Sequence, residues 1–249
     1  MTALVAPAAS VPALDKALQI KDLNESRALY NSLPDDGAQP AVADEHVTNL
    51  AALFIRHNAQ NVLGIHLIHG HFEIPESTVM LGTNFENPTL RWTQTTKIDT
   101  LDPLNIHGHI YAVTENGFCP YELQDGPLPD LSGVGHGFLP EFQDYVVRNN
   151  LQNIIGLQVL GCEGPAMSEL ILDQGTVMLE TSHVKNATPY RITGWRFESC
   201  NGKPRVCAAN ETHAGMTSGN HKVFNAGKPI PKLENVDDLK IALAQAGVL

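Results

Sequence analysis

Apolar positions recur at helical spacing in four places along the chain. Leu14, Leu18, Ile20, Leu23 and Leu29 form the first set, and Val47, Leu50, Leu53 and Phe54 form the second, within Ala43 to about Gln60. Recurrence every three to four residues predicts amphipathic helices. A third helix is expected where Pro140 occupies a first-turn position and Phe142, Tyr145, Val146 and Asn149 follow. A fourth is expected over the C-terminal run from Val236 to Ala246. Between helices two and four the pattern changes to short runs rich in Val, Ile, Thr, Tyr and Trp, separated by Gly, Asn and Pro, which predicts antiparallel strands. The runs cover roughly 62–73, 77–83, 89–98, 106–114, 118–123, 153–160, 168–172, 175–182, 190–198 and 204–209. Glu115-Asn116-Gly117 supplies a tight turn between two of them.

The expected fold class is therefore α+β, a mainly antiparallel, barrel-like or strongly bent sheet with N-terminal, middle and C-terminal helices. One domain over 1–249 suits this length: 1–12 loose, 13–60 helical, 61–210 the β-rich core, and 211–249 a loop and the last helix. Ser32 to Pro40, broken by Pro34, Gly37 and Pro40, reads as a linker.

Composition narrows the function classes. Sixteen Lys and Arg against twenty-seven Asp and Glu give a net charge of −11, which repels a phosphate backbone, so no nucleic-acid partner is expected. No apolar run approaches the roughly 18 to 20 residues of a membrane helix. The N-terminal apolar stretch has no Lys or Arg ahead of it, so neither a membrane partner nor a secretory signal is expected, and a cytoplasmic location is. Cys119, Cys162, Cys200 and Cys207 are expected as thiols; Cys200 and Cys207 flank a turn and would give a disulfide, two ligands or two inert thiols, the last being the default. An exposed edge strand would allow a homodimer.

Candidate chemistry lies in the eleven histidines. Two strings, His69-Gly-His71 and His107-Gly-His109, sit in β-prone surroundings. Side chains at i and i+2 of a strand share a face about 6.5 to 7 Å apart, so each string can clamp one metal ion. His69, His71, His107 and His109 are the candidate metal ligands. Imidazole donors suit zinc, iron, copper or nickel rather than calcium or magnesium; Zn²⁺ is the expected cofactor, with Fe²⁺ the alternative. Glu73, Glu76 and Cys119 are further ligand candidates, and His183, His213, Cys207 and Glu211 more remote ones. Glu73 and Glu76 are the candidate catalytic residues for moving a proton, because they follow His71 closely and Glu73 would share its strand face. His66 is assigned to the core or to a position behind the ligands; His46, His57 and His136 are assigned structural roles. The polar stretch Asn210 to Lys222 reads as a loop over or beside a pocket.

Two family resemblances attach to these strings. Gly64-Ile-His-Leu-Ile-His69-Gly-His71-Phe-Glu-Ile-Pro-Glu76, followed by Gly82, resembles the first cupin motif, whose HxH and Glu bind iron or another metal. The Gly spacings are one residue short of that motif, and a second cupin motif has only a distorted counterpart near Gly133 and His136. Over more of the chain, HLIHGHFEIPESTVMLGTNF, NIHGHIYAVTENGFCPYEL, TGWRFE and NETHAGMTSGNHKVF resemble the fungal hemocyanin-like proteins that include the cyclopenases. That resemblance implies a zinc-dependent lyase of alkaloid biosynthesis, contracting a cyclopenin-type benzodiazepinedione to a viridicatin-type quinolone with loss of methyl isocyanate. It implies a small-molecule alkaloid substrate and a metal at His69, His71, His107 and His109. A cupin-like iron oxygenase and a non-catalytic small-ligand-binding protein are the competing expectations.

Overall fold

The computed structural model describes residues 10–161, 164–219, 221–224 and 231–249. Cys162, Asn220 and residues 1–9 of the stretch expected to be loose lie outside the described residues. Helix α1 spans Ile20–Tyr30, α2 Asp44–Arg56, α3 Phe138–Arg148 and α4 Val236–Gln245. In α2, Asp44 and Glu45 occupy the first turn and Arg56 the last, which complements the helix dipole. Val47, Leu50, Ala51 and Phe54 are its buried stripe. Asn235 caps α4 by accepting from the Asp237 and Asp238 N–H groups at 2.9 and 3.0 Å.

Ten strands close into a barrel: β1 (Leu63–Leu67), β6 (Ile155–Val159), β4 (Ile106–Thr114), β5 (Gly117–Asp125), β2 (Thr78–Phe85), β3 (Leu90–Lys97), β8 (Gly175–Glu180), β7 (Met167–Ile171), β12 (Glu211–Met216) and β9 (Ala187–Trp195), which returns to β1. The pairings are antiparallel except β2 with β5 and β7 with β12. Strands β10 (Phe197–Cys200) and β11 (Lys203–Val206) form a separate ribbon. The α+β barrel expected from the sequence is the fold observed, with helices in the expected places. Closure leaves the barrel without an edge strand, so among the described residues the edge considered for a dimer exists only in the ribbon.

Two local readings change, and the ribbon cysteines keep their default reading as thiols. The run expected over 62–73 leaves the sheet at Leu67, so His69 to Glu73 lie in a loop. The Asn210–Lys222 stretch contributes a barrel strand, β12, whose inward positions are polar and therefore lack an apolar pattern. Register separates the ribbon cysteines: Cys200 faces Lys203, while the Cys207 N–H donates to Arg196 O beyond Phe197↔Val206. Four positions along a strand are about 13 Å, and a disulfide needs Cα atoms within about 7 Å.

The barrel's apolar side faces outward. Leu63, Ile65 and Leu67 of β1, with Leu157 and Val159 of β6, pack under Phe54 of α2 and Phe138 and Phe142 of α3. Leu90, Trp92, Leu170, Val177 and Leu179 pack under Leu239 and Leu243 of α4. Because strand side chains alternate, the residues between these point into the barrel, and many are polar: His66, Gln158, Arg91, Thr93, Glu122, Gln124, Glu169 and His213, all buried. Burying so many polar and charged groups is costly unless they pair or bind something.

Candidate metal centre

Each inward side chain is placed by its neighbours on the same strand. Leu170 anchors β7 under α4, and Glu169 next to it therefore points inward. Ala214 does the same for His213 on β12, and the parallel pairing sets His213 beside Glu169 in register. His69 and His71 reach the same space from the loop after β1. Gly70 turns its N–H to Pro34 O at 2.9 Å, and a Cβ there would sit 3.4 Å from both Leu33 Cβ and Tyr30 O.

His69, His71 and Glu169 bring one donor atom each within 4.8 Å of one another. His69 Nε2 is 3.6 Å from Glu169 Oε2, and His71 Nε2 is 3.5 Å from Glu169 Oε1. These separations are too long for direct hydrogen bonds. They suit donors converging on a shared ion. The hydrogen bonds behind the rings set the tautomers. His69 Nδ1–H donates to Leu67 O at 2.7 Å, which leaves the Nε2 lone pair facing the carboxylate. His213 Nδ1 lies 2.9 Å from Asp36 Oδ2 and 2.8 Å from the Tyr190 hydroxyl, so its Nε2 is likewise the bare nitrogen. The His213 ring centroid is 5.1 Å from that of His71 and 6.0 Å from that of His69.

Unpaired atoms belong to the same side chains. His71 Nδ1, Glu169 Oε2 and His213 Nε2 are buried with no hydrogen-bond partner among the described residues. Such atoms are costly when left alone, and nitrogen and carboxylate donors together fit a divalent transition metal. The cluster can hold a metal ion.

The surroundings are electrostatically graded. Burial alone raises Glu169, but His69 and His71 outweigh it and hold the carboxyl well below its ordinary range. Burial alone would lower His69, yet Glu169 carries it above its usual value. His66 stacks on His69 with centroids 5.3 Å apart, and burial reinforced by His69 pushes it down to about 3. Deeper along the barrel, Gln158 Nε2 donates to Glu211 Oε2 at 2.7 Å, and burial raises the Glu211 carboxyl. Arg91 donates to Gln124 at 2.7 Å and to Glu122 at 3.2 Å.

The four histidines named from the sequence divide into two pairs. His69 and His71 join the cluster with Glu169. His107 and His109 do not: His107 Nδ1 donates to Gly108 O at 2.9 Å, and His109 Nε2 faces Gln158 Nε2 at 3.4 Å, with burial lowering both histidines. A bulge in β4 around Gly108–Ile110 breaks the regular alternation on which a second clamp depends. Glu73 and Glu76 are exposed, because the chain has left the strand before reaching them. Cys119 sits on β5 outside the cluster, its thiol pushed up to about 11 by burial and by Glu25 and Asp22. His183 lies at the surface near Glu180. His46 and His57 pair with Tyr145 and Glu141, the structural roles expected of them.

Glu169 is the member that sequence reasoning missed. Its signal was a single acid inside the otherwise uncharged strand Met-Ser-Glu-Leu-Ile. His213 stood only among the remote candidates.

Fold and site together define a ten-stranded barrel with an interior histidine–carboxylate centre. No protein-family model matches the chain, and comparisons with curated proteins and with solved structures likewise return no match.

Proposed function

We propose that the chain is a zinc-dependent lyase-type enzyme, contracting a cyclopenin-type benzodiazepinedione to a viridicatin-type quinolone with loss of methyl isocyanate. The observation that carries the metal-enzyme reading is the buried His69–His71–Glu169 group with its unpartnered donor atoms. The substrate class rests on the resemblance to the cyclopenases. Two of the strings that carry it, around His69-Gly-His71 and around His213, lie far apart in sequence and meet at this centre.

His69, His71 and Glu169 would hold the ion, and His213, outside that group with its ring centroid 5.1 Å from that of His71, would close in as a fourth ligand. Bound zinc supplies a Lewis acid for a substrate carbonyl or epoxide oxygen. The chain's own groups do the rest. Asp36 and Leu67 O orient the imidazoles, and burial of the His69, His71 and Glu169 side chains shields them from bulk water. Glu211, its carboxyl raised by burial and its Oε2 3.7 Å from His66 Nε2, would be the group that moves a proton. This role replaces the one expected of Glu73 and Glu76.

A second reading has its own observation. Two histidines and one carboxylate are also the donor set of non-haem iron oxygenases, which would consume O₂ where the lyase would not. Metal analysis of protein purified without a histidine tag separates the readings. Near-stoichiometric zinc, with metal and cyclopenin turnover both lost in His71→Ala and Glu169→Gln, is the expected result. Iron with O₂ uptake favours the oxygenase, and protein without any metal overturns both.

A further inference from the structure

The segment after α1, which reads as a linker in sequence, is tied to the metal centre at every ligand-bearing element but β7. Pro34 O accepts the Gly70 N–H at 2.9 Å, between His69 and His71. The Gln39 side chain donates to Ile68 O, immediately before His69, and to Asn153 O at 2.8 Å. Asp36 is buried although it belongs to a short polar turn, Asp36–Ala38. Its Oδ2 lies 2.9 Å from His213 Nδ1 and accepts the Tyr190 hydroxyl at 2.9 Å. Arg191, paired in register with His213, donates to Asp36 O and, at 2.6 Å, to Pro40 O.

We propose that Asp36 is a positioning residue of this centre, and that residues 32–43 form a strap whose docking on the barrel and whose metal occupancy support each other. The proposal rests on the metal reading above and adds what controls the site. A carboxylate behind a ligating imidazole fixes its tautomer and strengthens it as a donor. Here that carboxylate is carried by a segment whose apolar anchors are the partly buried Leu33 and Val42. Gln39 and Pro34 hold the loop bearing His69 and His71, while Asp36 holds His213 from β12. Undocking the strap therefore releases the orientation of three ligands together, and metal bound to those ligands holds the strap down. Coupling of this kind is reciprocal: whatever docking adds to metal affinity, metal adds to docking.

The test uses the full chain, stripped by chelator and then titrated with zinc, reading affinity and hydrogen exchange over residues 32–43. In the unaltered protein zinc should slow that exchange by about fivefold or more. Asp36→Asn should weaken zinc by about 10- to 100-fold, abolish the zinc-dependent slowing, and change the visible spectrum of the cobalt-substituted protein. Arg191→Gln leaves the Asp36–His213 contact in place and loosens only the strap; it should still weaken zinc by about fivefold or more. That variant carries the test if Asp36→Asn fails to fold. Exchange over 32–43 that ignores zinc, or unchanged zinc affinity in the folded variants, overturns the strap while leaving the metal centre standing. Absence of zinc binding in the unaltered chain, or binding that survives His71→Ala, overturns the metal reading and the strap with it.

Discussion

Glu73 and Glu76 lie close to His71 in sequence, while Glu169 lies far from it, yet only Glu169 reaches the histidines. Nearness along the chain counts only while the strand continues, and this one ends at Leu67. Glu73→Gln and Glu76→Gln are exposed-site substitutions, so metal content should be unchanged and turnover should stay within about twofold. A large loss of zinc in either variant, measured by metal analysis, would show that the loop after His71 folds inward. The same contrast explains how much of the site was legible. His69 and His71 stand out because two imidazoles flank a glycine, a chemical signal that survives the change from strand to loop. Glu169 carries no such signal: one acid in a five-residue strand also describes a solvent-facing position, and only closure of the barrel turns that face inward. His107 and His109 repeat the signal of the first pair but meet hydrogen-bonding neighbours instead of a carboxylate.

At the level of elements, the helices and most strands were readable because their apolar residues face the barrel's outside, where helices cover them in the ordinary amphipathic way. Strand β12 was not readable, since Glu211 and His213 point inward and invert the pattern. The strap reads as a linker because Pro34, Gly37 and Pro40 forbid a helix but do not forbid docking through side chains. Close strand approach has a cost that can be measured. Gly156 of β6 lies against β4, where an added Cβ would come within 2.4 Å of the Tyr111 backbone oxygen. Backbone cannot yield there without separating β4 from β6, which pair through Ile110↔Gln158 and Tyr111↔Leu157. Gly156→Ala should therefore destabilise the fold by about 1–3 kcal/mol, read as a lower denaturant midpoint. An unchanged midpoint would mean that this pairing is looser than the register implies.

For the whole molecule, the ionisable groups buried inside the barrel make stability depend on pH in a defined direction. His66 has a folded pKa of about 3 against an ordinary 6.5, and burial lowers His107 and His109 as well. Between those values the unfolded chain binds protons that the folded barrel refuses, so stability falls as pH drops through the window. Glu169, held low by His69 and His71, adds to the loss further down. His69 and Glu211 act in the opposite sense, since their folded values are raised and acid favours their native forms. The net charge of −11 also becomes less repulsive on acidification, while the lowered histidines act in the upper part of the window. Metal-free protein should accordingly show a melting temperature that declines steadily once pH falls below 6.5, and His66→Gln should flatten the decline by removing one of these depressed groups. A melting temperature that holds level or rises on acidification from pH 6.5 would mean that the barrel interior admits protons readily. A closed, helix-covered wall around buried neutral imidazoles would then be the wrong description of this molecule.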